Sequence, residues 1–262
     1  MKYRLDICYL GGGFQGWQKQ PSKLSVQDHL ESAIKTILRE EVKTLGASRT
    51  DTGVHAEHQV VVFESEKSID PYKFRRSLSA LVPEGVGVLD CQVVHSDFHP
   101  ILSNQGKVYR YRIWRGANPH PFLKGISWHF PSSIDVEIIR ENLFQLLGKH
   151  DFKSFCASDS SAKTTVRTIS EVKLIENSDL LEIWLCGNGF LKQMVRAIAG
   201  TLVEQASGQI SDSMQTIIRK KSREAAGRTA PANGLSLVRL FYQEILPIDS
   251  LVNSQICGIN LP

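Results

Sequence analysis

The strongest constraint on the fold is an order of periodic segments that occurs once and then recurs. Tyr3, Leu5, Ile7 and Tyr9 alternate with Arg4, Asp6 and Cys8, which predicts an opening strand with one buried face. Gly11-Gly12-Gly13 interrupts it. Ser25 followed by Asp28 reads as the capped start of a helix. Val26, Leu30, Ala33, Ile34, Ile37 and Leu38 fall on one face of that helix. A strand is expected around His58–Phe63, a helix opening at Asp70-Pro71 with Phe74, Leu78 and Leu81 in phase, and a strand over Val86–Val94. Strands alternating with helices in this way indicate an α+β unit with helices packed on a sheet.

The rhythm then repeats without any repeat of sequence. Lys107–Trp114 reads as a strand, and Asp135 opens a helix with Val136, Ile139, Leu143, Leu146 and Leu147 in phase. Strands follow near Val166–Ile175 and Leu180–Cys186. Helices are expected near Phe190–Val203 and Ser211–Lys221, and a last strand near Leu235–Tyr242. The polar stretch Ser103-Asn104-Gln105 marks the boundary, giving an N-terminal half over 1–105, a C-terminal half over 106–246 and a tail over 247–262 whose apolar residues show no clear period.

Composition narrows the class. With 42% hydrophobic residues in 262, a substantial core is available and disorder is excluded. The net charge of +4 suits a polyanion-binding enzyme without demanding one. Cys8, Cys91, Cys156, Cys186 and Cys257 are scattered and odd in number, the pattern of buried free thiols in a reducing cytoplasm, not of a disulfide framework or zinc knuckle. The first residues read as a strand instead of a signal peptide, and no apolar run reaches membrane-spanning length.

Three segments carry candidate chemistry. Ser48-Arg49-Thr50-Asp51-Thr52-Gly53-Val54-His55-Ala56 has the composition of a tight turn entering a strand, which would hold Asp51 on a short, aimed loop. In Lys107-Val108-Tyr109-Arg110-Tyr111-Arg112, strand alternation places Lys107, Tyr109 and Tyr111 on one face and Arg110 and Arg112 on the other. Aromatics beside cations on an exposed sheet face suit a flat base and its phosphate; a cross-strand aromatic pair with solvated arginines is the plainer alternative. Arg196 lies in a helix that is apolar on nearly every side, so its guanidinium requires a carboxylate. Asp51 and Glu204 are both open as that partner. Gly11-Gly12-Gly13 lacks a P-loop ending, and His55-x-x-His58 has no fitting third metal ligand.

Taken in order, these segments resemble the TruA family of tRNA pseudouridine synthases. The resemblance rests on Gly16-Trp17-Gln18, Ser25-Val26-Gln27, Arg49-Thr50-Asp51-x-Gly53-Val54-His55-Ala56, Lys107-x-Tyr109-x-Tyr111, Asp151-Phe152-x-Ser154-Phe155, Phe190-Leu191-x-x-Met194-Val195-Arg196 and Ala230-Pro231-Ala232-x-Gly234-Leu235, and it spans roughly residues 1–243. Ser48 stands where the family usually has glycine, and Lys192 and Gln193 where aromatic or histidine residues are more usual. The resemblance implies two α+β halves joined through one continuous, mainly antiparallel sheet, with helices on one side and the active cleft between the halves. It implies a cytoplasmic homodimer that converts uridines of the tRNA anticodon stem-loop to pseudouridine without cofactor, metal or membrane. For the site it implies Asp51 as nucleophile or base, Arg196 paired with Asp51, Tyr109 stacked on the flipped uracil and assisting loss of the C5 proton, and Tyr111 on the same face. Arg49 would fill the gap left by the flipped base or hold its phosphate. Lys19, Lys23, Arg75, Arg76, Arg110, Arg112, Lys220, Lys221 and Arg223 are candidates for tracking phosphates, with solvated surface the alternative for most. A non-catalytic RNA-binding protein and a glycosidase-like hydrolase are the competing classes.

Overall fold

A computed structural model describes residues 1–253 of the chain. In chain order its elements are β1 (Lys2–Tyr9), α1 (Val26–Leu38), β2 (Leu45–Gly46), β3 (His55–Glu64), α2 (Pro71–Leu81), β4 (Val86–Val94), β5 (Gly106–Trp114), β6 (Trp128–His129), α3 (Val136–Phe144), β7 (Gly148–Asp151), β8 (Val166–Asn177), β9 (Leu180–Gly187), α4 (Met194–Ala206), α5 (Met214–Lys220), β10 (Leu235–Phe241) and α6 (Ile248–Asn253). All the strands join one sheet, ordered β4-β1-β3-β10-β5-β9-β8-β7, with β2 beside β3 and β6 beside β5. The pairings are antiparallel except β10 with β3 and β6 with β5. This is the α+β, mainly antiparallel architecture expected above.

Local chemistry explains the helix starts. The Ser25 side chain accepts from the Asp28 backbone N–H and the Asp28 carboxylate answers the Ser25 N–H, a complete capping box that satisfies two donors of the first turn of α1. Asp70 caps α2 with Pro71 in the first turn, where a missing N–H costs nothing. Asp135 and Ser213 cap α3 and α5 in the same manner.

The main core lies between one sheet face and helices α1 to α5, with Leu30, Ile34, Phe74, Leu78, Ile139, Leu143, Ile198, Leu202 and Ile217 buried against Leu5, Ile7, Val61, Tyr111 and Ile183. A smaller cluster of Val108, Trp184, Cys186, Val238 and Phe241 occupies the opposite face, covered by Ile248 of α6. The tail beginning at residue 247 thus supplies a helix, held by Glu171, whose carboxylate accepts from the Ile248 N–H. Cys91, Cys156 and Cys186 are buried and free, Cys8 is partly exposed, and Cys257 lies outside the described residues.

Several expectations need correction. Helix α4 begins at Met194 instead of Phe190, because Gln193 adopts a left-handed conformation (φ 61°) that closes a separate turn. Leu81, the last residue of α2, is 47% exposed, and Leu147, 38% exposed, lies beyond α3, which ends at Phe144. The arginines of β5 do not sit on an exposed face. Arg110 is buried, pairs with Glu57 and Glu182 and lies 5.1 Å from the Trp184 ring, and Arg112 donates to Glu182 at 2.7 Å. The second sheet face is covered here, so these cations link strands within it.

Candidate active site

The centre of the sheet is a seam between distant parts of the chain. β10 enters between β3 and β5, aligning Leu237 with Ala56 on one side and with Tyr109 on the other. That row fixes the start of β3, and the Asp51 loop before it, beside the Tyr109 strand.

Glycines hold the loop down from beneath. A Cβ on Gly11 would stand 2.1 Å from the Val54 carbonyl oxygen, and one on Gly16 (φ +77°) 2.8 Å from that of Thr50. No larger residue fits either contact without displacing backbone. The Trp17 N–H donates to the Thr50 carbonyl at 3.1 Å, the Val54 N–H to the Asp51 carbonyl at 3.1 Å, and the Tyr9 and Thr50 hydroxyls share a bond of 2.8 Å. Gly11, the first residue of the Gly11-Gly12-Gly13 break, therefore braces this loop, a role the sequence pattern did not disclose.

Asp51 faces Arg196 across the seam. Arg196 Nη1 donates to Asp51 Oδ2 at 3.2 Å, and Arg196 Nε donates to the Ala230 carbonyl at 2.8 Å. The Ala230 N–H returns a bond to the Arg196 carbonyl, so the guanidinium is anchored at both ends. Both side chains are partly buried, at 15% and 25% exposure, which leaves the carboxylate reachable from the cleft but only partly screened by water. Glu204, the alternative partner, is instead held by Arg228 Nε at 2.5 Å.

The two tyrosines of β5 part company. Tyr109 lines the cleft, 7% exposed, with its hydroxyl 2.9 Å from Ser48 Oγ and its ring edge-on to Phe190 at 5.0 Å. Burial, reinforced by Asp51 and opposed by the Ser48 hydrogen bond, pushes its phenol up to about 12. Tyr111 is fully buried. It donates to the Pro231 carbonyl at 2.8 Å, meets Trp128 edge-on and rests on Gly234. The structure does not bring Tyr111 to the cleft. Arg49 is exposed on the cleft wall next to Asp51.

The cleft measures about 850 Å³ and is walled by the Asp51 loop, the Gln15–Gln20 segment, β5 and the Phe190–Arg196 segment. That size lies within the range of about 300–1,000 Å³ usual for ligand pockets. At its mouth Lys192 Nζ reaches Asp159 Oδ2 at 2.5 Å. Lys107, on the same strand face as Tyr109, also lines it. Its Nζ donates to the Ala47 carbonyl at 2.8 Å and lies 3.4 Å from Ser48 Oγ. Burial, with Arg167 adding repulsion, draws the Lys107 ammonium down to about 8.

His55 and His58 serve as cross-links. His55 Nδ1 accepts from the Gly11 N–H at 3.0 Å and its Nε2 lies 3.1 Å from the Asn233 carbonyl, while burial lowers its pKa. His58 Nε2 meets Asp6 at 3.0 Å and its Nδ1 accepts from Leu240 N–H at 3.2 Å. Among the described residues no group of three His, Cys, Asp or Glu side chains is placed to hold a metal ion, and no helix is long and apolar enough to cross a membrane.

A carboxylate clamped across the seam of a continuous sheet thus faces a cleft that a tyrosine also lines. The sequence matches the tRNA pseudouridine synthase family over residues 7–100 and 143–243, and the chain belongs to that family. It is 40% identical to the tRNA pseudouridine synthase A of Bacillus licheniformis over 245 residues, covering 92% of this chain and 99% of the relative. The enzyme of the same name from Acetivibrio thermocellus is 41% identical over 240 residues, 91% of this chain and 98% of the relative. That of Bacillus subtilis is 38% identical over 245 residues, 92% and 99% of the two chains.

Proposed function

We propose that the chain isomerises uridine to pseudouridine in the anticodon stem-loop of tRNA, with Asp51 as the reacting carboxylate. The single observation that carries this reading is the Asp51–Arg196 ion pair at 3.2 Å inside a cleft wide enough for an extruded nucleoside. The reaction breaks the N1–C1′ bond, turns the uracil and joins C1′ to C5. It needs the freed base to stay beside the sugar, which an enclosing cleft provides. The target nucleotide must first leave its stack.

Asp51 then either attacks C1′ or removes the C2′ proton, and both routes use the same oxygen. Arg196 fixes the direction of that oxygen. Tyr109 offers its ring to the uracil and its hydroxyl to the departing C5 proton. Arg49, exposed on the wall, fills the place of the flipped base or binds its phosphate. Residues 1–105 and 106–246 act as the two halves that close on the nucleotide, and the protein works as a cytoplasmic homodimer without cofactor or metal. Hydrolysis by paired acids finds little support, because the other carboxylate on the cleft, Asp159, stands at the mouth in an ion pair with Lys192.

The test is incubation with tRNA followed by pseudouridine-specific chemical labelling and an assay for free uracil. Labelled tRNA without free uracil is expected. Free uracil would make the protein a hydrolase, and unchanged tRNA bound to the protein would make it a binding module.

A further inference from the structure

The mechanism above leaves a proton unaccounted for. Once C1′ is joined to C5, that carbon carries both the sugar and its original hydrogen. The proton must leave C5 so that the electron pair restores the C5–C6 double bond and returns a pair to N1, which takes a proton from water. Tyr109 is the nearest acceptor that the proposed function names. With its phenol held near 12, however, only about one molecule in 100,000 carries a ready phenolate at neutral pH. Its oxygen can take the C5 proton efficiently only if its own proton leaves in the same step.

The residues behind Tyr109 supply a way out. Its hydroxyl meets Ser48 Oγ at 2.9 Å, in a buried contact, and Lys107 Nζ stands 3.4 Å from the same Ser48 oxygen. Lys107 lines the cleft, so a proton delivered to it can pass to water there. Ser48 and Lys107 come from different halves, and neither is needed for any step described so far.

Resting on the proposed function, we infer that Ser48 and Lys107 are positioning residues forming a relay that empties Tyr109 of its proton while Tyr109 takes the proton from C5. The tyrosine proton goes to Ser48 Oγ, the serine proton goes to the neutral Lys107 amine, and the resulting ammonium discharges to the cleft water. No other reactant is required. About a tenth of the molecules hold the amine neutral at pH 7, and the fraction rises as pH passes about 8. The other ionisable groups around the relay are Arg167 of β8, Asp51 of the loop, Arg196 of α4, and Tyr9 of β1, which is in electrostatic contact with Tyr109. Tyr9 is pushed upward by burial and so remains protonated through this range.

The relay also distinguishes replacements at position 48. Alanine removes the hydroxyl but keeps the apolar Cβ, whereas glycine removes both and leaves more room for a water molecule to bridge the gap.

The experiment compares wild type with Ser48→Ala, Ser48→Gly, Lys107→Met and Lys107→Arg in single-turnover conversion of tRNA. The substrates carry uridine, C5-deuterated uridine or 5-fluorouridine, and each is followed across pH 6 to 9. The wild-type rate is expected to rise with pH through about 8. Ser48→Ala and both Lys107 variants should lose about a hundredfold in rate and lose that rise. Wild type should show a primary deuterium isotope effect that these variants enlarge, and Ser48→Gly should fall less than Ser48→Ala. Rearrangement of 5-fluorouridine, which has no C5 proton to lose, should proceed at the wild-type rate in every variant. Wild-type rates and no enlarged isotope effect in Ser48→Ala would overturn the relay, as would equal slowing on uridine and 5-fluorouridine. A wild-type protein inactive on tRNA would instead remove the proposed function itself.

Discussion

Asp51 and Arg196 show how far single side chains could be read before any coordinates. The loop composition placed Asp51 on a turn, and the apolar helix demanded a partner for Arg196, but 145 positions separate them and spacing alone left Glu204 equally open. Only the fold decides, by giving Glu204 to Arg228. Tyr111 shares the face of Tyr109 but not the cleft, because alternation predicts which face a residue shares, not how deeply that face is covered. The Lys107–Ser48 contact was not legible, although both residues were singled out, because it forms between segments 59 residues apart. Replacing Arg196 by glutamine should cut the conversion rate about a hundredfold or more by freeing the carboxylate to turn, with tRNA affinity little changed; rapid-quench kinetics with filter binding measures both. His55 carries a pH prediction. Its folded pKa is lowered by burial, so the unfolded chain binds the proton more readily and stability falls on acidification below about 6.5. Thermal melts from pH 7 to 5 should show a smaller loss in His55→Gln than in wild type.

Caps and periodic stripes made most helices and the longer strands legible. Ser25 with Asp28, and Asp70 with Pro71, mark their helix starts without reference to the rest of the fold. β2 and β6, of two residues each, and β7, of four, carry too short a pattern to be seen, and the left-handed turn at Gln193 hid the true start of α4. Helix α4 yields a prediction that runs against helix propensity. Alanine normally stabilises a helix over glycine by about 0.5–1 kcal/mol. At Gly200, however, a Cβ would lie 1.9 Å from the Arg228 carbonyl oxygen, on the strand of chain that leads to Ala230. Gly200→Ala should therefore destabilise by about 1–3 kcal/mol in denaturant titration and also lower activity, since Ala230 anchors Arg196.

Long-range assembly was the least legible level. No local pattern states that the last strand of the sheet inserts between β3 and β5, because that pairing joins segments 181 residues apart, Ser236 with His55 and Leu237 with Ala56. The continuous sheet was expected from the family resemblance and not from periodicity. The excess positive charge is likewise a property of the whole surface, and several of the cations first considered for phosphate are engaged within the protein. Lys19 pairs with Glu31, Lys220 with Asp212 and Lys221 with Asp151, while Arg223 holds Thr229. Binding of tRNA should still weaken steeply with salt, as released counterions require. A flat dependence between about 50 and 200 mM would show that phosphate contacts contribute little.

The Asp51 carboxylate can be interrogated by Asp51→Asn, which keeps the shape and removes the charge that Arg196 faces. Pseudouridine labelling of tRNA by this variant, at protein concentrations that bind the tRNA as fully as wild type, should detect no product. Product formed at a rate near that of wild type would refute the assignment of Asp51 as the reacting group.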